Sequence, residues 1–169
     1  MKENERTTPE TGAMFFSELA LDYAMNPTHY GDMDRPDGHA RITGFCCDTV
    51  DIYLRIRKGK IEEAKFITDG CLYSLAACNA ASHLATGKTL HQCLSIDQRS
   101  IIEHLNGLPD DHAHCALLAA TALNKAVNDY VLKNKTPAAT TSNPPKNLSK
   151  VRERHLRPSR QKMKDQILL

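Results

Sequence analysis

The 169-residue sequence predicts an α+β fold: a small three-stranded antiparallel sheet followed by helices packed on one of its faces. Three observations carry that expectation. A strict two-residue hydrophobic alternation runs through Thr49–Arg57, and past Gly70 the period lengthens to that of a helix. Patterned chain then gives way to the segment TPAATTSNPP at positions 136–145, which reads as a linker.

The elements follow in order. Positions 14–25 fit an N-terminal helix, and the turn-rich stretch 32–38 leads into a first strand at 41–45. In TVDIYLRIR, Val50, Ile52, Leu54 and Ile56 alternate with polar neighbours, the mark of a half-buried strand. Lys58-Gly59 makes the turn, and Lys60–Thr68 returns with Ala64 and Phe66 on one face. Leu72–Ala85 is an alanine-rich helix that stops before Gly87. Short helices are expected at Leu90–Leu94 and 97–105. A long helix starts near Ala113, behind the acids Asp110 and Asp111, with the stripe Ala116, Ala120, Leu123, Val127 and Tyr130.

Composition narrows the function classes. The chain is 41% hydrophobic and 25% charged, and no apolar run approaches the ~18 residues that a spanning helix needs, so no membrane association is expected. MKENERTTPETG holds no apolar signal core, and six cysteines without a leader read as reduced thiols in a cytoplasmic compartment. The formal charge of +2 hides a division. From Asn134 onward nine Lys and Arg face two acids, a surplus of +7, which leaves the body at −5. The expected organisation is a flexible N-terminus at 1–13, one domain at 14–133, and a linker with a disordered basic tail at 134–169. The tail lacks base-stacking aromatics, so nucleic acid is not an expected partner.

Three cysteines share a positional logic. Cys46 closes the first strand in the turn Gly44-Phe45-Cys46-Cys47-Asp48, while Cys71 and Cys115 sit at the starts of the second and the long helices. A thiol at a helix N-terminus is biased towards thiolate, the form that binds metal. Asp48 and His114 stand beside them, so three sulfurs and one oxygen or nitrogen are available to zinc or to an edge of an iron–sulfur cluster. Spacing alone leaves two readings open, because there is no C-x-x-C pair and buried free cysteine is common as a small hydrophobe. Cys78 reads as a core thiol, and Cys93 and His91 as packing or surface residues. His29, His39, His83 and His104 have no evident partners. His112, two residues before His114, stays unassigned.

In chain order, the segments FSELALDYAMNPTHYG (16–31), PDG (36–38), GFCCD (44–48), DIYLRIRKGK (51–60), FITDGC (66–71), GKTL (87–90) and GLPDDHAHCAL (107–117) are together distinctive. With them the chain resembles the NifU N-terminal / IscU family of iron–sulfur cluster assembly scaffolds, over about Phe16 to Leu132. The resemblance implies a non-enzymatic platform. Sulfur comes from a cysteine desulfurase, a transient 2Fe-2S cluster forms on Cys46, Cys71 and Cys115, and it passes to apo iron–sulfur acceptor proteins. It further implies that Asp48 keeps the cluster labile, that His114 is an alternative ligand, and that zinc can occupy the same site. Homodimer formation is left open.

The departures are specific. Cys47 stands where the family has glycine, a possible accessory thiol beside the site. Leu72, Tyr73, Ser74 and Leu75 replace a glycine and small residues after the second cysteine. Pro109-Asp110-Asp111-His112 replaces the proline-valine-lysine chaperone motif, which counts against an Hsp70-type partner, and Phe16 takes a place often held by tyrosine. Rival readings are a zinc-dependent enzyme, which needs a general acid or base that no motif here supplies, and a structural zinc module.

Overall fold

The structure, a computed structural model, describes residues 17–135. They form α1 (Glu18–Met25), β1 (Gly38–Thr43), β2 (Thr49–Arg57), β3 (Lys60–Thr68), α2 (Leu72–Ala85), α3 (Leu90–Leu94), α4 (Gln98–His104), a 3-10 turn (Asp110–His112) and α5 (Ala113–Lys135). The expected flexible N-terminus at 1–13 and most of the tail lie outside the described residues, as does Phe16.

The strands pair antiparallel in the order β1-β2-β3. The alternation of β2 sets the sheet's inner face: Val50, Ile52, Leu54 and Ile56 are buried, and so are Ala64 and Phe66 opposite them on β3. Lys58 and Gly59 both have positive φ, 51° and 73°, as a two-residue hairpin whose twist matches its strands requires. A bulge between Arg55 and Ile56 moves the register so that Ile61 is buried as well. On the outer face Asp51 is only 7% exposed, because His39 and Arg41 of β1 close over it at 3.0 and 3.2 Å. The free edge of β3 is covered: the Phe66 backbone exchanges hydrogen bonds with His29 and Gly31, and that of Ile61 with Gly87 and Lys88.

Helices α2 and α5 pack on the inner face, α2 against β3 and α5 against β1 and β2. α2 is buried almost all round, as expected of a helix held between the sheet, α1 and α5. Its alanines let these neighbours approach closely. Its buried Asn79 is satisfied by accepting from the His29 N–H and donating to the Tyr23 carbonyl, both at 3.2 Å. Phe66, Ile52, Leu54, Leu123 and Val127 fill the layer between sheet and helices. Each such side chain contributes about 1.5–3 kcal/mol of burial, so Phe66→Ala is the single change that most threatens the layer.

Several boundaries differ from the sequence expectation. α1 starts at Glu18, because Ser17 is extended and its hydroxyl accepts from the Ala20 N–H while donating to the Leu105 carbonyl; positions 14–16 of the expected helix lie outside the described residues. β1 runs over Gly38–Thr43 rather than 41–45: its register is dictated by β2, and Phe45 is already in the turn, 84% exposed. In α4, Asp97 is the cap and not a helical residue. α5 continues to Lys135.

Candidate metal centre

Three chain segments converge at one end of the two layers: the turn between β1 and β2, the start of α2, and the 3-10 turn leading into α5. The first is tight. The Gly44 N–H donates to the Asp48 carbonyl at 2.9 Å, the Cys47 N–H donates to the Gly44 carbonyl at 3.1 Å, and Cys47 has a φ of 66°. That is the left-handed region, where a Cβ is strained and glycine is not. Cys46 is half-buried against the core, and Cys47 is exposed.

Cys71 is the N-cap residue of α2, with extended backbone and no side-chain cap bond, so its sulfur is free for other work. It lies 3.7 Å from the Ser74 hydroxyl, which donates to Asp48 Oδ2 at 2.7 Å. A Cβ on Gly70 would come within 2.5 Å of that same Asp48 oxygen, so only glycine lets the β3–α2 loop and the 44–48 turn approach this closely.

Pro109 opens the third segment, and the His112 N–H donates to its carbonyl at 2.9 Å. The His112 ring stacks on Tyr73, centroids 3.9 Å apart and planes at 17°. The His114 Nδ1–H donates to the Asp111 carbonyl at 2.8 Å, which leaves its Nε2 3.6 Å from Cys115 Sγ. Its ring lies against Phe45, centroids 5.0 Å apart. Cys115, in the first turn of α5, is 1% exposed.

Among the described residues, one set of metal-ligating atoms is compact: those of Cys71, His112 and Cys115 all lie within 4.8 Å of one another. Cys71 is drawn down to about 5, chiefly by the hydrogen bond from Cys115 and secondarily by Ser74 and backbone amides. Cys115 is pushed up by that same bond and by burial. The pair therefore holds one proton, on Cys115, with Cys71 as thiolate. Such a donor set, two sulfurs and a nitrogen, suits a borderline-soft divalent ion.

Of the five residues singled out from the sequence, Cys71 and Cys115 meet, His114 reaches Cys115, and Asp48 connects to Cys71 through Ser74. Cys46 does not enter the compact set and stays with Cys47 on the adjacent turn. Sequence reasoning left His112 out; its only signal was its place two residues before His114. The four histidines expected to lack partners, His29, His39, His83 and His104, do have them. His29 bonds the Ala64 carbonyl, His39 the Asp51 carboxylate and His104 the Tyr23 hydroxyl, and His83 stacks on His104. Cys78 and Cys93 are buried core thiols, both pushed up by desolvation. No helix among the described residues is long and apolar enough to cross a membrane.

The chain is similar to several known proteins. An iron-sulfur cluster assembly scaffold protein, IscU 1 of Archaeoglobus fulgidus, is 36% identical over 120 residues, 70% of this chain and 78% of that protein. Scaffold proteins named IscU from Haemophilus influenzae and Azotobacter vinelandii are 32% and 34% identical, over 98% and 94% of their lengths and 71% and 69% of this chain. Among solved structures, a NifU-like N-terminal protein from Brucella abortus superposes with a TM-score of 0.60 at 18% identity, covering 70% of this chain and 95% of that one. A scaffold protein of the SUF system from Fervidobacterium islandicum gives 0.57 at 23%, over 66% and 96%. Both share the sheet-and-helix fold described above. The NifU-like N terminal domain family model matches residues 15–137, and the chain belongs to that family.

Proposed function

We propose that this chain is a scaffold on which an iron–sulfur cluster is built from iron and desulfurase-derived sulfur and then handed to apo-proteins. The observation that carries the reading is the convergence of the Cys71 and Cys115 sulfurs, with an imidazole nitrogen, within 4.8 Å where two helices start. The relatives named as assembly scaffolds, matched over most of their length, support it.

In this reading the cargo is a 2Fe-2S cluster, held transiently by Cys46, Cys71 and Cys115, with Asp48 or His114 completing the set. An oxygen or nitrogen in place of a fourth thiolate is a weaker, exchangeable ligand, and the opening it leaves admits a cysteine of the acceptor. Zinc occupies the same site when iron is absent. Cys47 is an accessory thiol, exposed on the turn that carries Cys46. The partners are a cysteine desulfurase as sulfur donor and apo iron–sulfur proteins as acceptors, in a cytoplasmic compartment. The protein itself turns over no substrate.

The test is anaerobic incubation with ferrous iron, cysteine and a desulfurase, followed by visible absorption and transfer to an apo-ferredoxin. A cluster chromophore that moves to the acceptor is the expected result. No chromophore, or one that stays on this chain, overturns the reading.

A further inference from the structure

His112 stands outside the residues that the resemblance assigns to the cluster, yet its ring nitrogen belongs to the compact set with the Cys71 and Cys115 sulfurs, and neither Cys46 nor His114 does. Its Nδ1 is buried and has no hydrogen-bond partner, while its Nε2 faces the exposed Asp111 carboxylate at 3.6 Å. A buried imidazole nitrogen without a partner carries an uncompensated desolvation cost, and a metal ion relieves it. His114, by contrast, is anchored through Nδ1 on the Asp111 carbonyl, with its ring on Phe45.

Two sequence departures explain how His112 is held. Tyr73 replaces a small residue after the second cysteine, and His112 ends the segment that replaces the proline-valine-lysine motif. The two lie 39 residues apart in the chain, yet their rings stack at 3.9 Å and 17°. A large aromatic ring on α2 thus supplies the wall that fixes an imidazole arriving from the 3-10 turn. His114 has no such wall, since Phe45 beside it is itself exposed.

We infer that His112 is this chain's own imidazole ligand, so that a single divalent ion of the zinc or ferrous class binds to Cys71, His112 and Cys115, with Tyr73 as the positioning residue. The inference rests on reading this site as metal-binding, and concerns the metal ion before any cluster is built. Borderline-soft ions are preferred over magnesium or calcium, because two sulfurs and an imidazole are poor ligands for hard cations.

Zinc alone is the probe, titrated into the full reduced chain in competition with a chromophoric chelator. His112→Ala is expected to bind zinc about tenfold or more weakly than His114→Ala does, given what displaced ligands and their supports typically cost. Tyr73→Phe keeps the stacked ring and retains affinity, whereas Tyr73→Leu loses it in part. On the wild-type chain, which removes any question of misfolded variants, zinc is expected to shift the ring-nitrogen resonances of His112. A shift confined to His114, an equal or larger loss in His114→Ala, or no zinc binding by the wild type overturns the inference. Cluster assembly is scored separately. Zinc binding through His112 without assembly defeats the scaffold reading and leaves this one standing, and assembly with zinc on His114 does the reverse.

Discussion

The Cys71 and Cys115 sulfurs lie within 4.8 Å of each other, and Cys115, as donor towards Cys71, favours the charge on Cys71. An ordinary thiol titrates at 9.0, and Cys71 is drawn down to about 5. It is therefore the nucleophilic sulfur of the pair at neutral pH. Alkylation of the metal-free chain by iodoacetamide, followed by peptide mass mapping, is expected to modify Cys71 with a rate midpoint near pH 5. The sign is fixed by the donor: Cys115→Ala removes it, raises the Cys71 midpoint and slows alkylation at pH 7. A wild-type midpoint near 9 would mean the two sulfurs do not share a proton.

Much of this was legible in the sequence, and what was not has a physical cause. β2 could be read because one of its faces is buried and the other is not, which imprints alternation. β1 could not be placed as well: residues 38–40 carry no alternation, and Gly38 begins the strand because a side chain there would collide with the Ala126 carbonyl on α5. That is a contact across the fold, invisible along the chain. The same holds for the centre. Cys71 and Cys115 announced themselves by their helix-start positions, whereas His112 joins them through Tyr73 on another element.

Gly70 is where the β3–α2 loop passes closest to the 44–48 turn. A Cβ there would lie 2.5 Å from Asp48 Oδ2 and 2.7 Å from Ser74 Cβ, both fixed by their mutual hydrogen bond. Gly70→Ala therefore pushes the turn at 44–48 away from α2. It is expected to lower stability by about 1–3 kcal/mol, the usual cost of overpacking, and to weaken zinc binding as well. Thermal melts and chelator competition on one preparation check both, and an unchanged melting temperature would mean the two segments separate freely.

Asp48 is tied to the Cys71 side of the centre indirectly, through the Ser74 hydroxyl at 2.7 Å. If it lends the cluster its lability, Asp48→Ala slows release by removing the exchangeable oxygen. The expected outcome is a stable visible chromophore with a several-fold lower rate of transfer to apo-ferredoxin. Transfer as fast as the wild type's, or faster, assigns the lability elsewhere.

Cys47 is the residue whose backbone and side chain make opposite demands. Its φ of 66° favours glycine, the residue the family has there, and an L side chain in that conformation costs about 1 kcal/mol. Cys47→Gly is thus expected to raise stability by up to about 1 kcal/mol, partly offset by the greater freedom of glycine in the unfolded chain. The turn also bends at this residue instead of running extended, which leaves the thiol exposed while Cys46 packs inward. An accessory thiol must be reachable by a desulfurase persulfide, and this one is. Transfer would form a new S–S bond on the Cys47 sulfur and release the donor cysteine as its thiolate, so no outside oxidant is needed. Desulfurase loading without iron, read by mass spectrometry peptide by peptide, is expected to show sulfane sulfur on Cys47 in the wild type and a lower total in Cys47→Gly. A variant that is more stable yet loads the same sulfur at the same rate would leave Cys47 with no role in sulfur transfer.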